Sequence, residues 1–266
     1  MAASYSIDLA THNRDGFYSP VTILDELEAL DHRRRLEDIE RTTGSLHYAV
    51  KPHLISTSAA EIIRNETLLD AVEAILGADI LAWDSAYVIK EPGTTGHVSW
   101  HQDLTYWGLE NDHLVTAWVA LSPATPASGC MRMLPGSHLG GRLEHHDTHG
   151  TDNILHRGQE VDAEIDESAI EYLALKPGQA SLHHGWVMHA SAPNTSGDRR
   201  IGLTIQYTVP ANRQRVADWD SASLVRGTDA YGHFRAEPRP TRDLDPDLVA
   251  YQKQLEARKH QVYDTA

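Results

Sequence analysis

The feature that most constrains the fold is a change of hydrophobic period near Ile80. Upstream, ILDELEALDHRRRLEDIERTTG places Ile23, Leu24, Leu27, Leu30, Leu36 and Ile39 at helical spacing between acids and arginines. SAAEIIRNETLLDAVEAILG predicts a second helix, with Ser58 as its cap and Gly77 at its exit, so N-terminal helices are expected over about residues 22–77. From Ile80 onward LAWDSAYVIK, HVSWHQD, VTAWVALS, CMRMLPGSH, EYLALKPGQASLHHG and RRIGLTIQYTVP follow a strand-like period and are parted by Gly, Pro and Ser clusters. Many short strands without intervening helices build a sandwich or closed barrel, not alternating β-α units.

A chain of 266 residues with 41% hydrophobic content can bury one substantial core, so a single domain over 1–266 is expected. Residues 140–167, rich in Asp, His and Gly with no clear period, read as a lid-like insertion. Residues 211–266 read as a C-terminal extension, irregular until DPDLVAYQKQLEARKHQV, which predicts a closing helix.

Composition narrows the chemistry. Cys130 is the only cysteine, which excludes an intrachain disulfide and a multi-thiolate metal site, so any metal must be held by nitrogen and oxygen. A formal charge of −15 would repel nucleic acid and anionic membrane, so a small-molecule substrate is expected. With no long apolar span and no basic, apolar leader in MAASYSIDLATHNRDGFY, a soluble cytoplasmic protein is expected. The sequence leaves oligomeric state open.

Among 17 histidines only spacing can single out ligands. In HVSWHQDLTYW, strand alternation sets Ser99, His101 and Asp103 on one face and Trp100 and Gln102 on the other. An imidazole and a carboxylate two residues apart can grip one ion, and His189 in HHGWVMHASAPNTSGDRR is the best third donor. Two histidines and one carboxylate on one side of an octahedron leave positions open, as in oxygen-activating iron(II) sites. His-x-Asp is a weak signal by itself, and His189 beside Ser191 and Asn194 equally suits a turn. The next strand adds weight: Ile201, Leu203, Ile205 and Tyr207 alternate with Arg200, Gly202, Thr204 and Gln206. In a barrel the polar face of that strand must line solvent or a ligand cavity, because unpaired buried polar groups are costly.

Taken in order, His101-Gln102-Asp103, Pro135-Gly136-Ser137-His138, His189-Ala190-Ser191-Ala192-Pro193-Asn194 and Arg200 resemble the phytanoyl-CoA dioxygenase family from about Asp15-Gly16-Phe17 to Tyr207. The resemblance implies a mainly β, double-stranded β-helix or jelly roll with flanking helices. It implies iron(II) on His101, Asp103 and His189, with 2-oxoglutarate and O2 as co-substrates. It also implies that Arg200 pairs with the distal carboxylate of 2-oxoglutarate, helped by Ser191, and that Trp118 lies beside it. A planar guanidinium matches a carboxylate bidentately. Arg199 competes for that role, although alternation puts it on the opposite face, and Trp118 suits the core equally well.

The implied reaction is hydroxylation of a C–H bond with release of succinate and CO2. Family members that halogenate lack the carboxylate ligand, and Asp103 is present here. WHQDLTYWGLE is similar to members that act on small polar metabolites. The alternative is a cupin-like metal-dependent hydrolase or isomerase with the same triad. His138, His183 and His184 read as packing or hydrogen-bonding residues. His145, His146, His149 and His156 read first as solvated lid residues. Arg132, Asp152, Asn153 and Arg157 are candidate substrate contacts.

Overall fold

The computed structural model describes residues 7–150, 152–155 and 157–263. It begins with α1 (Leu9–Asp15) and β1 (Phe17–Thr22), followed by α2 (Glu26–Thr43). Asp25 starts α2 through a capping box: its carboxylate accepts from the Leu27 and Glu28 amides while Glu28 accepts from the Asp25 amide. The single helix expected after Ser58 is two, α3 (Thr57–Ile62) and α4 (Glu66–Leu76). Ser56, not Ser58, caps α3, and the Asn65 side chain takes the Leu68 amide to start α4 afresh. Ser58 instead lies inside α3, its hydroxyl 2.7 Å from His32 Nδ1. Gly77 closes α4 at φ +89°, where a side chain would be strained.

The strands are β2 (Ile80–Lys90), β3 (Val98–His101), β4 (Leu114–Ala120), β5 (Met131–Met133), β6 (His145–Asp147), β7 (Gln159–Val161), β8 (Glu171–Leu173), β9 (Gln179–His184), β10 (His189–Ser191), β11 (Arg200–Thr208), β12 (Ser221–Arg226) and β13 (Arg235–Ala236), before α5 (Pro246–Tyr263). They form a seven-stranded sheet in the order β1-β9-β4-β11-β2-β12-β13, facing a four-stranded sheet β3-β10-β5-β8. All pairs except β12 with β13 are antiparallel. This is the jelly roll that the family resemblance implied, and it agrees with the sandwich or barrel expected from the many short strands.

The helices cover one face of the large sheet. Ile201, Leu203, Ile205 and Tyr207 of β11 pack in one apolar cluster with Leu36 of α2 and Leu68 and Val72 of α4. Burying each such side chain stabilises the fold by about 1.5–3 kcal/mol. The other face of β11 looks into the barrel.

A bulge in β2 decides what else faces inward. Gln206 of β11 is opposite Asp84, but the next residue, Tyr207, is opposite Ala82, so Trp83 is the extra residue. Ile80 and Ala82 therefore join the helix-side core, and so do Tyr87 and Ile89 beyond the bulge, while Asp84, Ala86 and Val88 turn toward the cavity.

Two expectations are revised. The 140–167 segment is not loop throughout, because β6 and β7 pair as a hairpin. The C-terminal extension is not irregular, because β12 adds to the edge of β2 before α5 closes over it. No helix among the described residues is long and apolar enough to cross a membrane.

Candidate active site

Strand alternation carries the first motif only part of the way. β3 ends at His101, and Asp103 opens a 3-10 turn over Asp103–Tyr106. The turn still brings its carboxylate back to the ligand strand: Asp103 Oδ1 is 3.4 Å from His101 Nε2 and 3.7 Å from His189 Nε2. His189 itself is opposite His101 across the β10–β3 pair. The nearest donor atoms of the three residues lie within 4.8 Å of one another, the one such cluster among the described residues.

Both imidazoles are oriented by the backbone. His101 Nδ1 is 2.9 Å from the Ser99 carbonyl and His189 Nδ1 is 3.1 Å from the Val187 carbonyl. A ring that donates from Nδ1 presents a bare Nε2 lone pair to the shared centre. Burial, then the neighbouring His101, pushes His189 down to about 3, so it stands ready as a neutral ligand. Burial opposes ionisation of Asp103, but His189, His101 and His183 outweigh it and hold the carboxyl well below the usual range. Its second oxygen accepts from Thr116 Oγ1 at 3.2 Å and lies 3.4 Å from His183 Nε2. His183, expected to serve in packing or hydrogen bonding, thus steadies the carboxylate from β9.

The cluster opens into a cavity of about 400 Å³ that is also lined by Trp118, Ser191, Arg200, Thr204 and Gln206. Arg200 is 1% exposed. Its Nη1 donates to the Gly129 carbonyl at 2.9 Å, while Nε and Nη2 have no partner. Burial lowers its pKa to about 10, leaving it cationic at neutral pH. Two buried, unpaired N–H edges on one guanidinium are expensive unless an anion meets them. Trp118 sits against this group, its ring 5.2 Å from the guanidinium carbon. Gly202 makes that possible, since a Cβ there would lie 2.0 Å from the Trp118 ring. Arg199 points away, bound on the outside by Glu40 and Glu91.

Ser191, which the resemblance sets beside the co-substrate, also has a protein partner. Lys90 Nζ donates to its hydroxyl at 2.7 Å and to its carbonyl at 3.1 Å. Burial, Arg200 and Arg132 bring Lys90 down to about 6. The sequence offered no sign of this lysine except its position at the end of a strand, opposite Arg200 in the β11–β2 register.

The four polar substrate contacts proposed from the sequence do not line the cavity. Arg132 lies over Trp100, Asp152 accepts from Thr95, Asn153 donates to Ser99, and Arg157 pairs with Asp147. The lid supplies Ile154, Leu155 and Gln159 instead, so it covers the site mainly with apolar surface. His145 Nε2 accepts from the Gln102 amide at 3.0 Å. Gln102 is fully buried and ties Gly141, Leu143 and Trp186 together. His146 and His149 are exposed, His138 meets the Asn13 carbonyl, and His156 lies outside the described residues.

Two backbone-anchored imidazoles and a carboxylate that could hold a metal ion, with a buried guanidinium in the same cavity, make a donor set that suits iron(II) and a 2-keto acid. The family model for phytanoyl-CoA dioxygenase matches residues 15–202. The chain belongs to this family, whose members are non-haem iron(II)- and 2-oxoglutarate-dependent oxygenases. Among solved structures it is similar to the apo form of the non-haem monooxygenase ThoJ, with 33% identity and a TM-score of 0.85 over 96% of this chain and 97% of that one. It is 32% identical over 168 residues to a probable alpha-ketoglutarate-dependent hypophosphite dioxygenase of Stutzerimonas stutzeri, covering 62% of this chain and 58% of the relative. It is 24% identical over 231 residues to L-proline trans-4-hydroxylase of Streptomyces griseoviridis, covering 76% and 85%. The chain thus spans about three fifths of the first of these curated relatives.

Proposed function

We propose that this chain hydroxylates a C–H bond of a small polar metabolite, with His101, Asp103 and His189 holding iron(II) and Arg200 holding the distal carboxylate of 2-oxoglutarate. The observation that carries the reading is the buried Arg200 guanidinium with two unpartnered nitrogens in the same cavity as the triad. A hydrolase or isomerase built on the same three donors has no use for such a group.

Each residue has a definable task. His101 and His189 donate imidazole nitrogen, and Asp103 donates charge that Thr116 and His183 keep in position. Arg200 orients the co-substrate, Trp118 forms a flat wall against it, and Ser191 stands on the same rim with Lys90 behind it. Ile154 and Leu155 exclude water from above. Bound there with 2-oxoglutarate, iron(II) supplies oxygen activation, coupling decarboxylation to succinate and CO2 with oxidation of the substrate. The relatives that act on proline and hypophosphite support a small substrate.

The test uses the electronic structure of the metal. Iron(II) chelated by a 2-keto acid gives a weak visible charge-transfer band under anaerobic conditions, which filled-shell zinc cannot give. Adding 2-oxoglutarate to the anaerobic iron protein should produce the colour, and oxygen should consume it with formation of succinate. A colourless mixture with bound iron, or turnover with zinc and no oxygen, would overturn the reading in favour of the hydrolase.

A further inference from the structure

The cavity has a second charged end that the oxygen chemistry does not use. Asp84 is 5% exposed, in the middle of β2, and lines the same cavity as the triad. It faces inward only because the Trp83 bulge reverses the parity of the strand. One of its oxygens accepts from the Ser85 amide at 2.8 Å. The other is in close contact with Lys259 Nζ, which reaches down from α5. Glu256, one turn earlier on α5, also lines the cavity, and Trp107 and Tyr106 supply aromatic walls. Lys51 also lies near this end and feels the charge of Asp84, but its Nζ hydrogen bonds go to Glu237 at 2.6 Å and to the Ser221 carbonyl at 2.7 Å.

A carboxylate placed this deep is costly unless a cation meets it. Here the cation comes from a flexible side chain on the last helix, while every other wall of the cavity belongs to the jelly roll, its lid or the segment before β2. We propose that Asp84 is the anchor for a cationic group of the substrate, and that Lys259 occupies that anchor until the substrate replaces it. Glu256, which lines the same cavity, adds a second carboxylate near the incoming cation, and the aromatic rings favour it further. The proposal deepens the oxygenase reading, from which it takes the reacting end of the substrate.

The sheet register sets the size of that substrate. Thr116 of β4, which touches Asp103, is opposite Gln206 of β11, and Gln206 is opposite Asp84 of β2. Two inter-strand spacings put Asp84 about 10 Å from Thr116 across the sheet. An amino acid or amine of ordinary metabolite size, with its cation several bonds from the oxidised carbon, bridges the two ends.

Choline and its uncharged isostere 3,3-dimethylbutan-1-ol test this on the metal-free protein by titration calorimetry, so that failure of the oxygen chemistry and failure of the anchor are separable. Choline should bind, and the isostere should bind at least tenfold more weakly. Asp84→Asn should weaken choline at least tenfold, whereas Lys259→Met, which removes the competing cation, should tighten it at least threefold. A plain structural latch between α5 and β2 would make both variants weaker or leave both unchanged, and either result overturns the proposal. So would equal binding of choline and its isostere, or no binding of choline to the parent and to Lys259→Met. Lys259 is partly exposed on α5, so its variant is informative even if Asp84→Asn fails to fold.

Discussion

Replacing Arg200 by lysine separates anchoring of the co-substrate from binding of the metal. In the parent, Nη1 is already spent on the Gly129 carbonyl, and Nε with Nη2 is the edge offered to a carboxylate. A lysine keeps the charge but offers one compact ammonium in place of that fork. Hydrogen bonds to charged groups contribute about 1.5–3 kcal/mol each, so losing one of the pair should raise the dissociation constant of 2-oxoglutarate roughly ten- to hundredfold. Affinity for iron(II) should not change, because Arg200 has no contact with His101, Asp103 or His189. The assay is an anaerobic titration of the iron-loaded protein with 2-oxoglutarate, read from the visible band and by calorimetry. A companion variant, Arg200→Met, should lose 2-oxoglutarate binding without lowering the melting temperature of the ligand-free protein, since it removes a buried charge that lacks full pairing. An unchanged 2-oxoglutarate affinity in Arg200→Lys would refute the assignment and move the carboxylate to Lys90, the other buried basic side chain on this rim.

Alanine at His101, Asp103 or His189 should abolish tight iron binding or turnover while leaving the circular dichroism spectrum intact; full substrate-dependent activity in any variant removes that residue from the site. Gly202→Ala should drive a methyl into the Trp118 ring, costing about 1–3 kcal/mol of stability and raising the 2-oxoglutarate requirement, with an unchanged melting temperature as the contrary result. Glu237, in the C-terminal extension, is fully buried between Lys51 and His53. Burial opposes its charge, but those two partners hold its pKa at about 2 against an ordinary 4.5. A depressed carboxylate contributes stability that is present above about 4.5 and is lost as pH falls toward about 2. Glu237→Gln should therefore flatten denaturant stability across that window and cost about 3–5 kcal/mol at neutral pH by leaving Lys51 buried without its partner. A parent-like acid profile in that variant would refute the coupling.

Much of the site was legible because its signals are local. Arg200 and Gln206 declare themselves by alternating with Ile201, Leu203 and Ile205, and a strand of that pattern has only one face to give a core. His101 and Asp103 announce a shared target by their spacing, although the chain reaches it through a 3-10 turn and not by continued alternation. The lid contacts were not legible. Arg132, Asp152, Asn153 and Arg157 have the polar character expected of substrate contacts, yet none of them lines the cavity, and Ile154 and Leu155 do. In a segment without a period, nothing in the order of residues says which side chains turn inward. The break between α3 and α4 was missed for a related reason: Asn65 reads as one more polar helix position until its side chain is seen to take the Leu68 amide.

By itself the sequence determined the strand-rich architecture, the inward face of β11 and a set of residues able to hold a metal, because periodicity and residue chemistry act over a few positions along the chain. Only the tertiary structure decided the partners of those groups. Lys90 stands behind Ser191, His183 and Thr116 steady Asp103, and Lys259 reaches Asp84 from the far end of the chain. Such pairings depend on strand register and on one bulge at Trp83, and a shift of a single residue there would turn Asp84 from the cavity into the apolar core.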